Sequence, residues 1–168
     1  GFVPKKKFTG YQNETKFLYH GSNVNINDIY IRVHSSIAME TQPLVYASAC
    51  KTDAMTFFNG IRDPFYIDWQ YSNGYVCVIE KHKNIFDKLY RNSGFLYVLK
   101  KSKPFKIAYL PHYTSSVNVN YIKKINFPNA KNALLQRNDF ILIKYHKLID
   151  WLANIKKIYG ERPQNSNR

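Results

Sequence analysis

Short apolar runs, broken every few residues by Asn, Gly, Ser or Pro, organise this chain. Phe17-Leu-Tyr-His20 and Leu44-Val-Tyr-Ala47 are apolar and aromatic runs that end in small polar residues. They predict strands over 17–20 and 44–47 whose ends open onto a cleft. Between them, Asn alternates with Val or Ile from Asn23 to Asp28. Ile29-Tyr-Ile-Arg32 then suggests a short extended piece, and 34–42 reads as a loop. After the second strand, Thr52 and Asp53 are good N-cap types, and Ala54, Phe57, Phe58 and Ile61 follow at helical spacing. A helix is predicted over 53–61, ended by Gly60 and Asp63-Pro64.

The second half continues the alternation. Phe65-Tyr-Ile-Asp-Trp69 alternates, Tyr75-Val-Cys-Val-Ile79 reads as a buried-type strand, and Ser72-Asn-Gly74 between them completes a hairpin signal. Ile85, Phe86, Leu89 and Tyr90 suggest a helix over 84–91, stopped by Asn92-Ser-Gly94. Strands are predicted over 95–99 and 105–109, one alternating extended stretch over 117–125, a short helix over 129–137, and a strand over 140–145. Leu148, Trp151, Leu152, Ile155 and Ile158 lie on one face of a C-terminal amphipathic helix, 147–159, that ends at Gly160. Many short strands with a few short helices predict one α+β domain over 17–160. A basic arm over 1–16 precedes it and a polar tail over 161–168 follows.

The chain has 168 residues, enough for one domain with a real core. Its net charge is +14, a surplus that attracts polyanions such as nucleic acid or an anionic membrane. Most basic residues are Lys, and the chain is also rich in Asn, Ile and Tyr, a mix that a biased genome also produces. The lysines at 81, 83, 100, 101, 103, 106, 123, 124, 156 and 157 are interleaved with Tyr and Phe. On one face they would suit RNA or DNA, and spread out they are a solvated surface. Cys50 and Cys77 form neither a disulfide framework nor a zinc spacing, so no metal and a reducing, intracellular, cytoplasmic setting are expected. Lys5-Lys6-Lys7 is not followed by a signal core, and no apolar run is long enough to span a bilayer. Gly1 at the start reads either as an expression scar or as the start of an excised fragment, and in the second case an upstream region is expected.

Leu18-Tyr-His-Gly-Ser22 resembles the first motif of the ADP-ribosyltransferase superfamily, in the branch of diphtheria toxin and the poly(ADP-ribose) polymerases. Leu44-Val-Tyr-Ala-Ser48, followed by Ala54-Met-Thr-Phe57, resembles the second motif, a Tyr-bearing strand and then a helix with an aromatic residue. The resemblance extends over roughly 17–145 and is shared with small bacterial proteins of that fold. It implies an ADP-ribosyltransferase-like split β-sandwich with short flanking helices, and NAD as substrate. By that resemblance His20 would bond a ribose hydroxyl and Gly21 would pair its main chain with the nicotinamide carboxamide. Ser22 and Ser48 would support the pocket, and Tyr46 and Phe57 would sandwich the nicotinamide. Cleaving the glycosidic bond gives an oxocarbenium-like transition state that such positioning favours without a metal.

At the third motif the chain departs from the family, whose active members usually carry a Glu there. Aligned through Pro111-His-Tyr-Thr-Ser115, that position is His112; an alternative alignment through Asn138-Asp-Phe-Ile-Leu142 offers Asp139. A neutral His bonds a hydroxyl but brings no negative charge to a developing cation. Three functions therefore stand as alternatives. One is transfer of ADP-ribose to a protein or nucleic-acid acceptor. Another is a catalytically silent nucleic-acid-binding module on the same fold, and the third is an enzyme acting on a nucleic-acid base or glycosidic bond. His34, His82 and His146 show no partner spacing and read as surface residues. Glu80, beside Lys81, reads as a solvent-facing charge.

Overall fold

The computed structural model describes residues 16–34, 42–60 and 62–159. Most of the expected arm, most of the 34–42 loop, Ile61, Gly160 and the tail lie outside these residues. The strands are β1 (Phe17–Ser22), β2 (Tyr30–Ile31), β3 (Val45–Ser48), β4 (Ile67–Ser72), β5 (Tyr75–Glu80) and β6 (Gly94–Lys100). They continue with β7 (Phe105–Tyr109), β8 (His112–Ser115), β9 (Val119–Asn120), β10 (Lys123–Phe127) and β11 (Phe140–Ile143). The helices are α1 (Lys51–Met55), which runs into a 3₁₀ turn at Thr56–Asn59, α2 (Ile85–Leu89), α3 (Ala130–Leu135) and α4 (Tyr145–Tyr159). The α+β class read from the sequence is the observed class.

A six-stranded sheet has the order β10-β6-β1-β3-β8-β7, and a three-stranded sheet the order β11-β5-β4. A two-stranded ribbon, β2-β9, packs Ile31 and Val119 into a core on one face of the larger sheet. All described ladders are antiparallel except β11 on β5, which runs in register from Phe140↔Val76 to Ile143↔Ile79. The alternation of β1 shows why the larger sheet is covered on both faces. Leu18 enters a core with Ile31, Val45, Ala47, Tyr97 and Leu99, while Tyr19 packs against a second core on the opposite face. That second core joins the sheets through Met55, Phe58, Ile67, Val78, Phe86, Leu96 and Leu134. Burying these side chains is the main force holding the sheets together.

Several expected elements shift for local reasons. Helix α1 starts two residues early, because Cys50 is its N-cap and its Sγ accepts the Asp53 N–H at 3.4 Å. Thr52 and Asp53, expected as caps, are drawn inside the fold by partners on other elements. The single stretch expected over 117–125 divides in two: β9 pairs with β2 and β10 pairs with β6. The hairpin turn is as expected, with Asn73 at φ 50° and Gly74 at φ 89°, the left-handed pair that a type I′ turn requires.

Glu80 is a correction. It is fully buried, with Oε2 accepting the Phe86 N–H and Oε1 accepting the Tyr145 N–H, both at 2.9 Å. One carboxylate thus satisfies N–H groups at the starts of α2 and α4, with Lys144 Nζ at 3.5 Å from it. The same bond ends β11 at Ile143, short of the 145 expected. Helix α4 is amphipathic as read. Leu148 packs on the patch of Cys77, Ile79 and Ile143, whereas Ile149, Leu152 and Ile158 are exposed.

Candidate functional site

Strands β1 and β3 are joined by one ladder pair, Tyr19↔Ser48. The bond from Lys101 N–H to Lys16 C=O, 3.0 Å, sets the alternation of β1. Even-numbered residues turn their backbone groups to β6, and odd-numbered ones turn theirs to β3. Gly21 therefore presents its N–H and C=O to the β3 side, where no ladder pair meets it. Gly21 also has a packing reason to be glycine. A Cβ there would lie 1.8 Å from the Ala54 carbonyl oxygen, so α1 crosses β1 at backbone contact.

His20 closes this gap from one side. Its Nδ1 lies 2.6 Å from the Tyr46 carbonyl oxygen. A carbonyl only accepts, so Nδ1 carries the proton in this bond and Nε2 is left with its lone pair in the neutral ring. Burial pushes the His20 pKa down to about 4, partly offset by the Tyr46 bond and reinforced by His34. The ring is therefore neutral near pH 7, with Nε2 an acceptor for a hydroxyl group.

The structure adds His34 to this pair. His34 and Leu44 form an isolated two-bond bridge, at 3.1 and 3.0 Å, that holds the exposed imidazole beside the site. Its ring centroid is 6.5 Å from His20 and 5.9 Å from Tyr46. Nothing in the spacing of the sequence marks His34, because the contact exists only once residues 34 and 44 are brought together.

The other expected site residues have local partners. Ser22 Oγ accepts the Val24 N–H and Ser48 Oγ accepts the Cys50 N–H, both at 3.0 Å, and Ser48 is buried. Phe57 is half-buried and has the Arg62 guanidinium 4.4 Å over its ring. Arg62 also lies 4.1 Å from the ring of Trp69, so it is held between two aromatic faces.

His112 stands in register with Ser48 on the neighbouring strand, within a buried polar cluster. Its Nε2 is 2.8 Å from Asp53 Oδ2 and 3.2 Å from the Tyr71 hydroxyl. Arg62 donates to Asp53 Oδ1 at 2.8 Å, to Tyr71 at 3.1 Å and to Thr56 at 3.3 Å, and Tyr71 donates to Asp53 Oδ1. Burial alone would push the Asp53 carboxyl up, but His112, Arg62 and Tyr71 together hold it down at about 2. Asp53 is thus an anion buried among compensating partners. His112 Nδ1 and Arg62 Nε are buried with no hydrogen-bond partner among the described residues. Asp139 stands elsewhere, at the entry to β11. Its Oδ1 accepts from Thr52 Oγ1 at 2.5 Å, and Arg137 Nε lies 3.7 Å from it. The Asp53–Arg62–Tyr71 group was missed in the sequence, where Asp53 looked like a helix cap.

Among the described residues no group of His, Cys, Asp and Glu is placed to hold a metal ion, and no helix is long and apolar enough to cross a membrane. No protein-family model, curated protein or solved structure matches this chain.

Proposed function

We propose that the gap between β1 and β3 binds NAD, and that the protein is an ADP-ribosyltransferase-like enzyme on a split β-sandwich of that superfamily. The observation that carries this reading is the meeting of His20 and Tyr46 beside the β3-facing backbone of Gly21. A main-chain N–H and C=O side by side suit a carboxamide, which needs one acceptor and one donor. A neutral imidazole with a free Nε2 suits a ribose hydroxyl. The Tyr46 ring offers a flat face to the nicotinamide. Such an arrangement clamps the leaving ring and holds the sugar while the nicotinamide–ribose bond breaks. The C1′–N electron pair leaves with nicotinamide, and an acceptor oxygen or nitrogen attacks C1′ and gives up its proton.

NAD at millimolar concentration should raise the melting temperature and release nicotinamide. A hundredfold excess over the dissociation constant adds about 2.7 kcal/mol of stability. If NAD neither stabilises the protein nor yields nicotinamide, the reading falls.

The contacts of His112 favour a second reading, in which NAD binds without turnover. The position where active relatives of the resembled family carry Glu is a histidine whose Nε2 is engaged by Asp53 and Tyr71. It brings no carboxylate to a developing cation. Stabilisation by NAD without release of nicotinamide would select this reading.

A further inference from the structure

A second surface feature lies on the other sheet. The turn between the 3₁₀ segment and β4 carries Phe65 and Tyr66, and the end of β5 carries Lys81, His82 and Lys83. Phe65 and Tyr66 meet edge to face at 4.9 Å, and the His82 ring lies 4.9 Å from Phe65 and 5.9 Å from Tyr66. The three rings form a cluster that points outward rather than into the core: Phe65 is 64% and Tyr66 36% exposed. Exposed aromatics mostly fold back against apolar neighbours, because hydrating them is unfavourable.

Here the polypeptide holds them out. The Asp63 carboxylate accepts the Phe65 N–H at 2.9 Å, the Lys81 N–H donates to the Tyr66 carbonyl at 3.0 Å, and His82 Nε2 donates to the Phe65 carbonyl at 3.1 Å. Lys81 Nζ donates to the Pro64 carbonyl at 2.5 Å. The turn is braced internally by Asp63 and tied to the residues after β5 at three points, so its rings are ordered before any partner arrives. Lys81 and Lys83 are exposed on either side of His82, in a chain of net charge +14.

We infer that this patch binds single-stranded nucleic acid, with bases stacked on Phe65 and Tyr66 and phosphates drawn to Lys81 and Lys83. Exposed aromatic rings flanked by cations meet both chemical halves of an unpaired strand, since every base has a π-face and every link a negative charge. A duplex hides its bases and offers the rings nothing. The patch is formed by residues separate from those of the proposed NAD site, so the two readings stand or fall separately.

The test is fluorescence anisotropy with labelled twelve-nucleotide oligouridine and oligothymidine, and a duplex of equal length, at about 50 and 200 mM salt. The wild-type protein should bind both single strands and lose affinity steeply as salt rises. Equal affinities support stacking on the bases, and tighter binding of oligouridine supports stacking plus a 2′-hydroxyl contact. The doubly substituted Phe65→Ala, Tyr66→Ala protein removes exposed rings only. It should keep its circular-dichroism melt and bind either strand on the order of tenfold or more weakly. Lys83→Ala should reduce the salt slope by about 0.7 with little change in the melt. The inference is overturned if no single strand binds at low salt, if binding is confined to the duplex, or if the ring substitutions leave affinity unchanged.

Discussion

Asp53 Oδ2 lies 2.8 Å from His112 Nε2, and both side chains are inside the fold. This contact ties helix α1 to strand β8. Arg62 holds the other carboxylate oxygen and links both to the segment leading into β4. Removing Asp53 leaves the buried Arg62 guanidinium without its counter-ion, so Asp53→Ala should destabilise the protein by about 3–5 kcal/mol in urea unfolding. The acid side of the stability curve reports the same group. The folded pKa of Asp53, about 2, lies below its ordinary value of 3.8. Its stabilisation is therefore complete above the ordinary value and lost as pH falls through 2. The loss should amount to about 2 kcal/mol between pH 5 and pH 2, and Asp53→Asn should flatten that part of the curve.

His20 uses its two nitrogens for different purposes, and the two amide residues separate them. Asn places its amide nitrogen near the position of Nδ1 and can still donate to the Tyr46 carbonyl, but has nothing at Nε2. Gln reaches the Nε2 position and forfeits the inner bond. We expect His20→Asn to melt close to wild type and to lose stabilisation by NAD. His20→Gln should lose about 1 kcal/mol of stability. The wild-type imidazole should titrate near pH 4 by NMR. Because that lies below the ordinary value of 6.5, His20 withholds no stability above pH 6.5 and weakens the fold as pH drops from there toward 4. A His20 ring that titrates near 6.5 would contradict the buried, Nδ1-protonated geometry.

The readable parts of this chain were those where local pattern and tertiary role agree. The Asn73-Gly74 turn and the two strands it joins follow from residue spacing and are present, although Phe65 and Tyr66, expected in the first strand, lie in the turn before β4. The spacing of α4 likewise gives a helix, but Trp151, Leu152 and Ile158 of its apolar stripe are exposed. His20 and Tyr46 stand out in the sequence through the resemblance of their two strands to motifs of the ADP-ribosyltransferase superfamily, and only the fold shows that one bonds the main chain of the other. Glu80 was misread because its neighbour in sequence is a lysine at the surface. The groups that bury it, the N–H groups of Phe86 and Tyr145, are six and 65 residues away. His34 and Arg62 were illegible for the same reason. Their partners arrive from other strands and, for Arg62, from α1 and the 3₁₀ turn, and no periodicity encodes a contact between single residues. The division of 117–125 between two sheets is likewise set by β2 and β6, not by its own alternating pattern.

Gly21 tests whether the approach of α1 to β1 matters apart from any ligand. An added methyl group would need the space of the Ala54 carbonyl, 1.8 Å from the ideal Cβ. The obstacle is backbone and cannot turn aside as a side chain could, so α1 must move. Gly21→Ala should cost about 1–3 kcal/mol or more in urea unfolding without NAD present. A variant as stable as wild type would show that the helix can withdraw freely, and the role of Gly21 would then rest on the ligand alone.

Glu80 supports the starts of two helices at once, and its variants should rank by how many N–H groups they leave without an acceptor. Glu80→Ala orphans the N–H groups of both Phe86 and Tyr145 and leaves a cavity beside Lys144. A buried donor without a partner costs about 1–3 kcal/mol, so the loss should be about 2–5 kcal/mol. Glu80→Gln keeps one carbonyl oxygen and turns an NH₂ group toward the other donor, so its loss should be smaller but clear. Hydrogen exchange provides the local readout. The amides of Phe86 and Tyr145 should exchange faster in the alanine variant, and in the glutamine variant one of the two should stay protected. Fast exchange of both amides in the wild-type protein would show that the carboxylate does not hold these helix starts in solution.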